Sequence, residues 1–124
     1  MARILLAEDE ESVRQLVARA LTQDGHEVVA TVDGAEAFEA LRREGGRFDL
    51  LLTDIKMPVM DGLALALAAA RDHPNLPIVL MTGYADQRER ASGLDSLIVD
   101  VITKPFTLAE IKFSVAAALA KGRR

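Results

Sequence analysis

Five short apolar runs recur along this chain, with longer amphipathic stretches between them. They are Ile4-Leu5-Leu6-Ala7, Val28-Val29-Ala30, Leu50-Leu51-Leu52, Ile78-Val79-Leu80-Met81 and residues 97–102, the last interrupted by Asp100. A strand with one wet face alternates apolar and polar side chains, whereas a strand buried on both faces is apolar throughout. The runs therefore predict a parallel sheet covered on both faces, and the amphipathic stretches predict the covering helices.

The helices follow from spacing. Residues 11–24 carry Val13, Leu16, Val17, Ala20 and Leu21 on one face, and Gly25 is placed to end that helix in a left-handed turn. Asp33-Gly34 precedes a second helix marked by Ala35, Phe38 and Leu41, which Gly45-Gly46 breaks. Residues 63–72 begin with an alternation that suits strand or helix, and Ala68-Ala69-Ala70 and the length favour helix. Residues 85–91 form a weak, charged helix candidate. Thr107 with Glu110 makes a capping box for a last helix that buries Leu108, Ile111, Val115, Ala118 and Leu119. Lys121 onward reads as a short, solvated basic tail. The expectation is a single α/β domain over residues 1–124, with a core of about 3–120. No output domain is expected beside it.

Composition narrows the function. The chain has 15 basic and 19 acidic residues, a net charge of -4, which argues against nucleic acid as a partner. It has no cysteine, which excludes disulfides, thiolate metal sites and cysteine nucleophiles. The opening MARILLAEDE turns acidic within eight residues, unlike a signal peptide or a membrane span, so a cytoplasmic protein with no membrane partner is expected.

The polar residues that follow the runs carry the chemistry. The first run ends at Glu8-Asp9, the third at Asp54, the fourth at Thr82 and the fifth at Thr103-Lys104. In a parallel sheet these positions gather at the carboxyl edge, where open α/β sheets bind ligands. Three clustered carboxylates raise one another's pKa or recruit a cation. Oxygen donors without His or Cys suit Mg²⁺, with Mn²⁺ as the other choice. A lysine beside them adds charge for an anionic substrate, a threonine adds a hydrogen bond, and one carboxylate can itself be the nucleophile. Together they outline a phosphoryl-transfer site.

At this point the chain resembles a known family. Ile4-Leu5-Leu6-Ala7-Glu8-Asp9, Asp54-Ile55-Lys56-Met57-Pro58-Val59-Met60-Asp61-Gly62, Met81-Thr82-Gly83 and Lys104-Pro105-Phe106 are similar to the CheY-like receiver domains of bacterial two-component response regulators. The resemblance implies a flavodoxin-like (βα)5 three-layer sandwich, its five-stranded parallel sheet in the order 2-1-3-4-5. It implies a stand-alone signalling switch rather than an enzyme. It makes Asp54 the phosphoryl acceptor, and Asp9, Asp54 and the backbone carbonyl of Lys56 the Mg²⁺ ligands, with Glu8 acting through water. Thr82 and Lys104 would engage the phosphoryl group, and the Lys104-Pro105 bond would be cis. Lys56 and Tyr84 would modulate how long the group persists. The family commonly has an aromatic switch residue where this chain has Val101, so a coupled threonine–aromatic switch is not expected in its usual form.

The resemblance also implies partners: a histidine kinase or histidine phosphotransferase as donor, and a downstream protein bound through the fourth helix, fifth strand and fifth helix, about residues 85–119. RILLAEDE, LLLTDIKMP and Gly83-Tyr84 resemble the cell-cycle receivers that act as adaptors for a bacterial AAA+ protease. A phosphorelay shuttle to a histidine protein is the alternative output.

Plainer roles compete for several residues. Glu8-Asp9 could serve as a helix N-cap, Asp61-Gly62 is a turn and helix start, Phe106 is packing, and His26, His73 and Arg88-Glu89-Arg90 are surface residues. A haloacid-dehalogenase-type phosphatase would want an acid two residues after the nucleophile, where Lys56 stands. A nucleotide-binding flavodoxin-like protein would want a glycine-rich phosphate loop after the first strand, where Glu8-Asp9 would repel the ligand.

Overall fold

The structure is a computed structural model that describes residues 1–44, 47–83, 93–94 and 96–122. Its elements, in chain order, are β1 (Arg3–Ala7), α1 (Glu11–Gln23), β2 (Glu27–Thr31), α2 (Gly34–Glu44), β3 (Leu50–Asp54), α3 (Gly62–Asp72), β4 (Ile78–Thr82), β5 (Asp100–Thr103) and α4 (Leu108–Gly122). The five strands form one all-parallel sheet in the order β2-β1-β3-β4-β5, as expected. The helix candidate at 85–91, Tyr84 and the Arg88-Glu89-Arg90 cluster lie outside the described residues.

Each face of the sheet has its own core. Leu5, Leu51, Ile78 and Leu80 point towards α2 and α3, where they pack on Ala37, Leu41, Leu65 and Ala66. Ile4, Leu6, Leu50, Leu52, Val79 and Met81 point the other way, onto Val17 and Leu21 of α1 and Ile111 and Val115 of α4. Every residue of β3 and β4 is buried. Each large aliphatic side chain so buried contributes about 1.5–3 kcal/mol of transfer free energy, which fixes the three-layer arrangement.

Several boundaries differ from the expectation. The last strand starts at Asp100 rather than at 97, because Leu97 and Ile98 turn back on the carbonyl of Leu94 (2.8 and 3.1 Å). Asp100 is tolerated on this edge strand, where its carboxylate accepts from Ser114 Oγ (2.7 Å) and the Val101 N–H (2.8 Å). Leu16 is 45% exposed and Leu108 is 39% exposed, not buried. Leu16 lies on the rim of a cleft, and Leu108 sits on the first turn of α4, ahead of the core contacts that begin at Ile111. Lys121 belongs to α4 rather than to a tail.

The helix ends follow local chemistry. Thr107 and Glu110 exchange reciprocal bonds: Glu110 N–H donates to Thr107 Oγ1 (3.0 Å) and Thr107 N–H to Glu110 Oε1 (2.8 Å). Asp61 caps α3 by accepting from the Ala64 N–H (2.9 Å). The residue capping α1 is Glu10, with no side-chain cap bond, so neither Glu8 nor Asp9 is the N-cap.

Candidate functional site

The strand order reverses between β1 and β3, and at such a switch point the loops diverge and leave a crevice. The carboxyl ends of those two strands bring Glu8 and Asp9 beside Asp54. Each of the three offers a carboxylate oxygen, and these oxygens lie within 4.8 Å of one another. Glu8 is fully buried and Asp54 nearly so, while Asp9 is exposed at the mouth. A cleft of about 730 Å³ opens above them, lined by Asp9, Glu10, Val13, Leu16, Asp54, Lys56, Gly83, Lys104, Pro105 and Phe106.

Lys104 reaches this site because its N–H donates to the Thr82 carbonyl (2.7 Å), which continues the β4–β5 ladder past the strand ends. Its ammonium lies 2.7 Å from Glu8 Oε1 and 3.4 Å from Asp54 Oδ2. The second Glu8 oxygen accepts from the Glu10 N–H (3.0 Å), so both oxygens of Glu8 are engaged. Asp54 Oδ1 accepts from the Ile55 N–H (3.0 Å). The Lys104-Pro105 peptide is cis.

The loop after Asp54 is pinned at three points. Gly62 N–H donates to the Ile55 carbonyl (2.7 Å), Gly34 N–H to the Met60 carbonyl (3.1 Å), and Met60 N–H to the Pro58 carbonyl (2.8 Å). The last bond closes a γ-turn that forces Val59 to a φ of 69°, unusual for a β-branched residue and here 86% exposed. Lys56 lies within this loop, exposed and lining the cleft.

The electrostatics are those of a site short of positive charge. Burial pushes the Glu8 carboxyl above its ordinary range, and the nearby Asp54 charge adds to this, against the hydrogen bonds from Lys104 and the Glu10 N–H. Burial likewise pushes Asp54 up, and the charge of Asp9 adds to it, against Lys104 and the Ile55 N–H. Burial alone would lower Lys104, but its hydrogen bond to Glu8 and the charges of Asp54 and Glu8 outweigh it and hold the ammonium above its ordinary value. The three carboxylates outnumber the ammoniums of Lys104 and Lys56 at the cleft, an excess of negative charge that a cation would relieve. An all-oxygen donor set at a cleft mouth fits Mg²⁺, which keeps several waters and few protein ligands.

These observations meet a family pattern. Residues 4–116 match the model of the response regulator receiver domain. The chain belongs to the response regulator receiver family. The receiver is 40% identical over 111 residues to the response regulator receiver protein CpdR of Brucella abortus, an alignment covering 90% of this chain and 91% of CpdR. It is 35% identical over 120 residues to the transcriptional regulatory protein TcrA of Mycobacterium tuberculosis, covering 97% of this chain and 47% of TcrA. The chain thus spans about half the length of some curated relatives and nearly all of others. Among solved structures, the response regulator TrrA of Thermotoga maritima, in complex with Mg²⁺ and BeF, superposes with a TM-score of 0.85 at 30% identity, covering 95% of this chain and 99% of TrrA. Receiver domains are signalling switches that bind Mg²⁺ in an acidic pocket and work with histidine kinases and downstream effectors. Among the described residues, no helix is long and apolar enough to cross a membrane.

The structure gathers Glu8, Asp9, Asp54, Lys56 and Lys104 at one cleft, with Thr82 buried beneath its edge. Tyr84 lies outside the described residues. Val101 is half-buried and packs on the α2/α3 side of the sheet. Sequence reasoning missed the direct Lys104–Glu8 pair, which depends on a reach across the sheet that no local motif encodes. It also missed Arg14, whose guanidinium Nη1 donates to the backbone carbonyls of Glu8 (2.9 Å) and Asp9 (3.4 Å). The only signal was a basic residue in the first turn of a helix, where the dipole favours acids.

Proposed function

We propose that this receiver accepts a phosphoryl group on Asp54 and that the modified form changes its affinity for a protein partner. The observation that carries this reading is the buried Asp54 carboxylate, 3.4 Å from the Lys104 ammonium and clustered with Glu8 and Asp9. The Asp54 carboxylate attacks phosphorus, the bond from phosphorus to the donor's leaving group breaks, and an aspartyl phosphate results. Lys104, in hydrogen-bond reach of the incoming oxygens, stabilises the charge that gathers there, and the Thr82 hydroxyl turns to donate to the group. Asp9, Asp54 and the Lys56 carbonyl would hold Mg²⁺, with Glu8 acting through water, and the ion would supply neutralisation of phosphoryl charge. Lys56 stands at the cleft wall, two residues after Asp54, and shields the product from water, a role that Tyr84 shares.

The donor is a histidine kinase or histidine phosphotransferase. The apolar lip formed by Val13, Leu16, Pro105 and Phe106 beside Asp54 supports a protein donor. The output surface is the one expected from the sequence, about residues 85–119, of which β5 and α4 lie among the described residues. A role as adaptor for a AAA+ protease rests on the sequence likeness to cell-cycle receivers, and passage to a second histidine protein is the competing output.

Incubation with a small-molecule phosphodonor and Mg²⁺ should add one phosphoryl group to the wild type and none to Asp54→Asn, as read by intact-mass spectrometry. A wild type that stays unmodified, or an Asp54→Asn variant modified to the same extent, would remove this reading. Pull-downs from the two wild-type forms then test the output, with equal partner capture counting against a switch.

A further inference from the structure

Arg14 stands in the first turn of α1, an end of the helix where a cation is electrostatically disfavoured. Its side chain folds back over the loop instead of leaving for solvent. Nη1 donates to the Glu8 carbonyl at 2.9 Å and to the Asp9 carbonyl at 3.4 Å. Glu8 lies just past the last paired residue of β1, where its N–H still donates to the Thr31 carbonyl (3.1 Å). The backbone at Glu8 is therefore clamped on both sides, and the peptide that leaves Asp9 is held by the same guanidinium. Asp9 itself is exposed, and among the described residues no hydrogen bond holds its carboxylate. The backbone is what aims it.

We propose that Arg14 is a positioning residue that orients Asp9 for the divalent cation by fixing the Glu8 and Asp9 carbonyls. This rests on the reading of Asp9 as a metal ligand. An outer group that orients a ligand is worth roughly ten- to a hundred-fold in metal affinity. Both bonds come from one nitrogen, Nη1, whose two N–H groups are fixed in the guanidinium plane, whereas the three donors of an ammonium on a flexible stem are not pre-set towards two adjacent carbonyls. The sign of the effect is diagnostic. Removing a cation near an acidic cluster, taken alone, tightens Mg²⁺ binding, whereas losing the clamp weakens it.

The test is Mg²⁺ titration of the whole chain, by calorimetry and by amide chemical shifts, for wild type, Arg14→Met, Arg14→Lys and Asp9→Asn, with urea midpoints for each. Arg14→Met should bind Mg²⁺ roughly tenfold more weakly, with Arg14→Lys between it and wild type and urea midpoints near the wild-type value. Arg14→Met binding as tightly as wild type or tighter overturns the proposal. So does equal weakening in the Met and Lys variants, because that would be general damage. If Asp9→Asn leaves Mg²⁺ affinity unchanged, the reading of Asp9 as a ligand fails first. If it weakens binding and Arg14→Met does not, only the role of Arg14 fails.

Discussion

Replacing Gly62 with alanine should injure the candidate site through the backbone. Gly62 opens α3 directly against the end of β3. A Cβ placed there would lie 2.8 Å from the Asp54 carbonyl carbon and 2.9 Å from Ile55 Cα, and it would overlap the Asp54 carbonyl oxygen. Carbon atoms in contact sit about 3.5–4.0 Å apart, so relief needs a shift of roughly 1 Å. The strand cannot supply it, because β3 is buried throughout and the Ile55 N–H is tied to the Met81 carbonyl (3.1 Å). The start of α3 must move, which breaks the 2.7 Å bond from Gly62 N–H to the Ile55 carbonyl. Overpacking costs about 1–3 kcal/mol and the lost hydrogen bond about 1, while the stiffer unfolded chain returns about 0.4–1. The net loss is about 1–3.5 kcal/mol. Urea unfolding followed by circular dichroism measures it. Gly83→Ala is the control, because among the described residues a Cβ there meets no atom within 4 Å. A Gly62→Ala midpoint matching that of Gly83→Ala would refute the steric argument.

Two further outcomes follow from the charges. Lys104→Met leaves the fully buried Glu8 without its ammonium and should destabilise the protein by roughly 3 kcal/mol at neutral pH, with the loss shrinking in acid as Glu8 takes a proton. Urea midpoints at neutral and acid pH check this, and a loss that stays constant with pH would contradict it. The second concerns the wild type. Glu8 and Asp54 are raised from ordinary values of 4.5 and 3.8, so across the window above those values the native state holds more protons than the unfolded chain. Their contribution to stability is fully present below that window and falls away as pH rises through it. Without metal the urea midpoint should drop across this window. Saturating Mg²⁺, which favours the charged carboxylates, should flatten the slope, and equal slopes with and without Mg²⁺ would count against the site.

Most of the fold was legible because burial on both faces leaves an unambiguous trace. Leu50-Leu51-Leu52 can be little else than an inner strand once its neighbours are helices. The edge was less legible. Leu97 and Ile98 are as apolar as any strand residue, yet they turn on Leu94 and cede the strand to Asp100, whose polarity an edge position accommodates. Leu16 keeps helical spacing with the core residues but belongs to the cleft rim, since periodicity reports a face and not its width. In the candidate site, strand ends alone convey which side chains meet. They do not convey how those side chains pair. The Lys104–Glu8 contact depends on the spacing between elements far apart in sequence, and the reach of Arg14 to carbonyls five and six residues before it depends on side-chain length and rotamer.

The 2.7 Å contact between Lys104 and Glu8 bears on reversibility. The ammonium is already committed to a buried carboxylate. The phosphoryl group proposed for Asp54 would compete for that cation, so what it gains from Lys104 would be the difference between two ion pairs. The modified arrangement would then gain less from Lys104 than from a free ammonium, so under the proposed switch the two arrangements would lie closer in free energy than the new ion pair alone suggests.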